Sequence, residues 1–178
     1  MRAAVAPSRG AGVGRVVAAL RGCGGTLAVA ESLTGGALTA LLVTVPGVSA
    51  VLRGGIVAYA TDLKHDLLGV DADLLAAEGP VHPEVARQMA LGAARRLGAT
   101  HALATTGVAG PGPADGRAVG TVHVAVAAPG VVRVRSLRLA GGRAALRAAT
   151  VDVALALLAG TLAGPGPEGG EQPGPPRR

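Results

Sequence analysis

The stretch Ala30-Glu31-Ser32-Leu33-Thr34-Gly35-Gly36 decides the fold. Residues 26–31 lead into it with the composition of a strand, and residues 36–43 leave it with the composition of a helix. A strand that feeds a helix through a turn leaves a hydroxyl at the strand's carboxyl end, beside helix N–H groups that have no partner within the helix. In open α/β sheets such crevices hold ligands. Ser32 is therefore either a helix N-cap or a group placed for chemistry, and the turn alone leaves both readings open.

Upstream, Val13, Val16, Val17 and Leu20 have helical spacing, which predicts a helix over 13–21 behind a flexible segment, 1–11. Gly10, Gly12 and Gly14 do not make a dinucleotide fingerprint, because Arg15 stands in the third glycine's place and no strand precedes them. Downstream, a strand is expected over 55–60, then short helices over 61–68 and 71–77. Pro83 opens an amphipathic helix that ends before Gly98, with His82 just ahead of it. A strand over 100–105 enters the Gly/Pro-rich loop 106–113. Alternating segments 119–127 and 132–139 read as an antiparallel hairpin turned at Pro129-Gly130. A closing helix over 142–159 should bury Leu146, Val153, Leu157 and Leu158, and 161–178 read as a disordered Gly/Pro-rich tail. The alternation of helices and strands predicts one α/β domain over 12–160, a three-layer α/β/α sandwich on a mixed central sheet.

Composition narrows the chemistry. Of the 178 residues 49% are hydrophobic, yet Phe and Trp are absent, so the core must pack Ala, Val and Leu. The single cysteine, Cys23, excludes an intrachain disulfide and a thiolate metal cluster, and a reducing, cytoplasmic setting follows as the simpler expectation. The net charge of +6 comes from scattered arginines without stacking aromatics, which favours an anionic small molecule over nucleic acid. Residues 33–52 carry no charge, but their glycines, Pro46 and hydroxyls argue against a membrane span. The four histidines show no metal-ligand spacing, so no metal and no cofactor are expected.

Lys64 is the only lysine and Tyr59 the only aromatic residue. Arg cannot readily lose its proton, whereas a Lys amine can act as a base, and a place near the third position of a helix helps lower its pKa. The alternative is a solvated lysine and a half-buried tyrosine. Tyr59 and Lys64 do not have the Tyr-x-x-x-Lys spacing of short-chain dehydrogenases, so an oxidoreductase is a weak reading. Glu31 is placed to orient Lys64 or contact a ribose hydroxyl, or to serve as an ordinary acid at a helix start. Arg143 and Arg147, four apart on the closing helix, share a face that can turn toward a phosphate or toward solvent.

Six ordered blocks carry a resemblance: AESLTGG (30–36), VPG-x-S (45–49), GGIVAYATDLKHDLLGV (54–70), EVARQMALGA (84–93), TTGVAGPG (105–112) and VGTVHVAV (119–126). In order and spacing they resemble the C-terminal domain of the competence/damage-inducible CinA family, whose stand-alone members are nicotinamide-nucleotide amidohydrolases. The resemblance implies a metal-free serine amidohydrolase that turns nicotinamide mononucleotide into nicotinate mononucleotide and ammonia. It places the nucleophile at Ser32, with Tyr59 and Lys64 as proton-transfer partners. Backbone N–H groups around Thr34, Gly35 and Gly36 would hold the oxyanion, and the loop with Thr106, Gly107 and Gly110, together with Arg143, would hold the phosphate. The glycines of that loop would let the backbone approach the ligand. The expected partner is a small-molecule mononucleotide bound by a homo-oligomer.

Three departures from the family pattern bear on pocket shape and affinity: Leu33 after the motif serine, Arg117-Ala118-Val119-Gly120 in place of Lys-Pro-Val-Gly, and Gly142 ahead of Arg143 in place of an acid. A non-catalytic nucleotide-binding module linked to competence or DNA-damage physiology is the alternative. The lack of the longer family members' N-terminal domain favours the stand-alone enzyme.

Overall fold

Alternation along the strands sorts the core into two unlike faces. In the computed structural model, which describes residues 9–164, the chain runs α1 (Arg9–Gly22), β1 (Leu27–Glu31), α2 (Ala37–Val43), a 3-10 turn (Val48–Ala50), β2 (Leu52–Val57), α3 (Thr61–Leu68), α4 (Ala72–Glu78), α5 (Pro83–Leu97), β3 (His101–Gly107), β4 (Thr121–Ala128), β5 (Val131–Arg138) and α6 (Arg143–Leu162). Leu27, Val29, Leu103, Val122, Val124 and Val126 face one way and pack with α1, α2 and α6. Ala28, Ala30, Ala102, Ala104, Ala125 and Ala127 face the other and pack with α3 and α5. The methyl-lined face lets α5 lie close, through Ala86, Ala90 and Ala93. This is the three-layer α/β/α sandwich that the sequence predicts.

The sheet order is β2-β1-β3-β4-β5, with β1, β2 and β3 parallel and the β4–β5 hairpin antiparallel to them. From β1 the chain crosses one face to β2 on one side, then returns over the other face to β3 on the opposite side. The strand order therefore reverses at β1, and a crevice opens at the carboxyl ends of β1 and β3. Ser32 follows β1, Tyr59 lies two residues beyond β2, and Thr106 and Gly107 end β3.

Several expected boundaries shift. Strand β2 begins at Leu52, because Gly54 and Gly55 pair with Ala28 and Val29 and thereby join the ladder despite their poor strand propensity. Helix α1 already includes residues 9–11, which were expected to be flexible, and α6 reaches Leu162, since the spacing Val151, Leu155, Leu158 continues to the partly buried Leu162. On α6 the fully covered positions are Leu146, Thr150, Val151, Ala154, Leu155 and Leu158, whereas Val153 and Leu157 are half-buried. The terminal expectations for 1–8 and 165–178 lie outside the described residues. Helix α6 is the described helix long and apolar enough to cross a membrane, and it packs on the sheet and on α1.

Gly92 of α5 sits against α3, where an added Cβ would run into the Leu68 carbonyl, while Gly14 of α1 has open space and no left-handed φ. Gly92→Ala should lower the unfolding free energy by about 2 kcal/mol or more. Gly14→Ala should raise it by about 0.5–1 kcal/mol. Urea unfolding of both variants checks the pair, and equal effects would contradict this packing.

Candidate active site

Glu31 organises the turn. It is fully buried, and its carboxylate accepts four bonds from the start of α2: Gly36 N–H (2.9 Å) and Leu38 N–H (3.0 Å) on Oε2, Thr39 N–H (2.8 Å) and the Thr39 hydroxyl (2.7 Å) on Oε1. A negative charge on the orphan N–H groups of a helix is favourable twice over, through hydrogen bonds and through the dipole. Gly55 on β2 makes room for it, since a Cβ there would meet the Thr39 hydroxyl. The carboxylate is thus consumed in capping, and the reading of Glu31 as a ribose contact or an orienter of Lys64 is corrected. So is the N-cap reading of Ser32: the cap position is Gly36, and Glu31 supplies the side-chain oxygens.

That arrangement frees the serine. Ser32 N–H extends the ladder to the Thr105 carbonyl (3.0 Å) and its own carbonyl accepts from Gly35 N–H (3.0 Å), but its hydroxyl bonds to no group among the described residues. With 9% of its surface exposed, Ser32 opens into a cavity of about 220 Å³ walled by Leu33, Tyr59, Lys64, Thr106, Asp115 and Arg143, among others.

Lys64, 1% exposed, is the fourth residue of α3, and its side chain turns back toward the end of β2. Nζ donates to the carbonyls of Ala58 (2.9 Å), Tyr59 (3.2 Å) and Ala60 (3.4 Å). Burial pushes its pKa below the ordinary 10.5, while the carboxylates of Asp115 and then Asp62 pull it back up. Of the two causes expected from sequence, burial and the helix start, burial is the one that acts. Tyr59 is 58% exposed, and its phenol oxygen accepts from Arg143 Nη2 (3.0 Å). Arg143 Nη1 also donates to the Gly110 carbonyl (2.8 Å), so this arginine ties the loop after β3 to the loop after β2.

The remaining expected contacts divide. Thr106, Gly107 and Gly110 wall the cavity. The Thr106 hydroxyl itself donates to the Pro80 carbonyl (2.7 Å) and serves to hold the wall. A Cβ on Gly107 would meet the Thr121 carbonyl (2.5 Å) and Leu33, so this glycine is required by the sheet first, not by ligand approach. Thr34, Gly35 and Gly36 do not wall the cavity. The Thr34 hydroxyl is buried against that of Thr105 (2.7 Å), Gly35 N–H is held by Ser32 O and Gly36 N–H by Glu31, so the Gly35 and Gly36 donors expected for an oxyanion are spent inside the turn. Arg147 does not share the cavity with Arg143: its Nε and Nη2 both donate to the Thr34 carbonyl (3.2 and 2.6 Å).

Asp115 was missed from sequence. It walls the cavity and adopts a left-handed φ of 50°, a conformation that Asp tolerates, in a turn closed by Ala114–Arg117 pairing and by the Arg117–Glu78 ion pair (3.1 Å). The Asp115-Gly116 dipeptide was the available signal. The histidines serve the fold: His82 caps α5 by accepting Glu84 N–H (3.2 Å) and His123 bonds Ser136 (2.8 Å). Among the described residues no group of His, Cys, Asp and Glu is arranged to hold a metal ion.

The class is an α/β domain whose switch point between parallel strands presents an unbonded serine hydroxyl in one cavity with a buried lysine. The chain belongs to the CinA family, since residues 12–162 match the CinA C-terminal domain. A CinA-like protein of Frankia casuarinae is 55% identical over 139 residues, 78% of this chain and 32% of that protein. A putative competence-damage inducible protein of Desulforamulus reducens is 48% identical over 130 residues, 73% of this chain and 32% of that one. The chain thus spans about a third (32%) of the length of these curated relatives. Among solved structures, a CinA superfamily protein of Klebsiella pneumoniae superposes with a TM-score of 0.84 at 34% identity, covering 88% of this chain and 99% of that one. The competence/damage inducible protein CihA of Agrobacterium tumefaciens gives 0.83 at 36% identity, with 91% and 99% covered.

Glu31→Gln keeps the shape but turns one acceptor into a donor facing N–H groups, and should cost about 3 kcal/mol in urea unfolding. Hydrogen exchange at Leu38 and Thr39 should quicken. A Gln variant as stable as the wild type would contradict the capping role.

Proposed function

We propose that this chain hydrolyses the carboxamide of nicotinamide mononucleotide, giving nicotinate mononucleotide and ammonia, with Ser32 as nucleophile and Lys64 as base. The observation that carries the reading is the unbonded Ser32 hydroxyl in a cavity shared with a buried lysine whose pKa is lowered. A neutral amine has two N–H groups and one lone pair. It can keep its bonds to Ala58 and Tyr59, release the longest one, to Ala60, and offer the lone pair to Ser32. Ser32 Oγ attacks the carboxamide carbon as its proton passes to Lys64, directly or through Tyr59. Lys64 returns the proton to the leaving nitrogen, ammonia departs, and water then cleaves the acyl ester. Arg143 and the loop 106–112 suit the phosphate, as a cation and a run of backbone amides. We place the enzyme in the cytoplasm as a homo-oligomer.

A second reading, a nucleotide-binding module acting within a larger protein, is favoured by the name of the Desulforamulus reducens relative, which records competence and damage, and by the relatives' greater length. Ammonia release from nicotinamide mononucleotide separates the two. Wild type should release ammonia and Ser32→Ala should not, while Ser32→Ala unfolds at the same urea concentration as the wild type. Equal release by both proteins would remove Ser32 as nucleophile, and release by neither would leave the binding module.

Lys64→Arg keeps the charge but not the base, so turnover should fall by roughly 100-fold or more. The wild-type rate should rise with pH as Lys64 loses its proton, on an ionisation below 10.5 that the variant lacks. Stability should follow the same sign. Between the lowered pKa and 10.5 the unfolded chain holds a proton that the folded chain has released, so stability rises with pH across that window. Lys64→Met should abolish that rise. Near-normal turnover with an unchanged pH profile in Lys64→Arg would leave Tyr59 as the base.

A further inference from the structure

Arg147 stands behind the Ser32 turn. It does not wall the cavity, and it forms no ion pair among the described residues, yet both Nε and Nη2 are aimed at one acceptor, the Thr34 carbonyl. The Thr34 carbonyl belongs to the same peptide group as Gly35 N–H, which donates to the Ser32 carbonyl at 3.0 Å. The Ser32 carbonyl in turn belongs to the same peptide group as Leu33 N–H. Leu33 walls the cavity beside Ser32, and its N–H donates to no group among the described residues. In a trans peptide the N–H points opposite to the C=O. With the Ser32 carbonyl drawn into the turn by Gly35, the Leu33 N–H is directed out of it.

We propose that Arg147 is a positioning residue that polarises the Leu33 amide, through the Thr34–Gly35 and Ser32–Leu33 peptides, to stabilise the oxyanion formed when Ser32 attacks. The role in turnover rests on the amidohydrolase reading above. A cation on the first carbonyl of such a chain strengthens each later bond in the same direction. The far end is the amide following the nucleophile, which gains most when negative charge develops on the substrate oxygen. Gly35, at φ 55°, closes the turn, and a Cβ there would approach Arg147 Nη2 to 3.6 Å. The relay replaces the Gly35 and Gly36 donors expected from sequence with the Leu33 amide.

The test is Arg147→Gln, read by amide NMR of the free protein and by steady-state kinetics. The Leu33 and Gly35 amide proton resonances should move upfield while those of Val81 and Val108, elsewhere on the cavity wall, stay in place. The kcat for nicotinamide mononucleotide should fall about tenfold with KM nearly unchanged, because the lost interaction belongs to the transition state. Unmoved Leu33 and Gly35 resonances in a folded variant would overturn the relay, as would a raised KM with intact kcat. If Arg147→Gln does not fold, Arg147→Lys carries the same test: a smaller upfield movement and a smaller kcat loss support the relay, and unmoved resonances overturn it. If the wild type releases no ammonia, the amidohydrolase reading fails and the resonances alone decide whether the relay exists.

Discussion

A single buried carboxylate holds the site together. Glu31 ends β1 inside the protein, where an uncompensated charge would be costly, and four donors from the start of α2 compensate it. Because these bonds span from Gly36 to Thr39, the helix begins only after a full turn, and Ser32 to Gly35 are left to form a loop of their own. An N-cap serine would have spent its hydroxyl on a backbone amide. Here the cap comes from the residue before it, and the serine hydroxyl stays unbonded in the cavity. Thr105 steadies the same loop from β3, by its carbonyl on Ser32 N–H and its hydroxyl on Thr34.

The absence of Phe and Trp has a structural counterpart. Alanines on one sheet face let α5 lie close to the sheet, Gly92 lets α3 lie close to α5, and α3 carries Lys64 beside the end of β2. The lysine is buried there, and its amine donates to three carbonyl oxygens. Burial in this layer is what lowers the pKa of Lys64.

Elements with local signals were legible in the sequence. Helix α3 has the expected bounds because Thr61-Asp62 start it and Gly69, at φ 66°, stops it. The family resemblance and the layer architecture were legible for the same reason, since they rest on ordered blocks and alternation. What was not legible depends on contacts between distant segments. Arg147 and Thr34 are 113 residues apart, and nothing in the closing helix distinguishes an arginine that binds a carbonyl from one that faces a ligand. Glu31 caps from five residues ahead of Gly36, beyond the spacing of the usual capping box. The start of β2 was hidden by Gly54 and Gly55, whose value lies in the room they leave for Leu97 and Thr39.

The central claim is that the Ser32 hydroxyl forms an acyl ester with the substrate. Hydroxylamine tests it most directly, because it can intercept such an ester in competition with water. With nicotinamide mononucleotide and rising hydroxylamine, the account predicts that the hydroxamate should replace nicotinate mononucleotide as product, with ammonia release at a constant rate where attack on the amide is the slow step. Ammonia release without any hydroxamate would contradict a serine ester and point to direct attack of water on the amide.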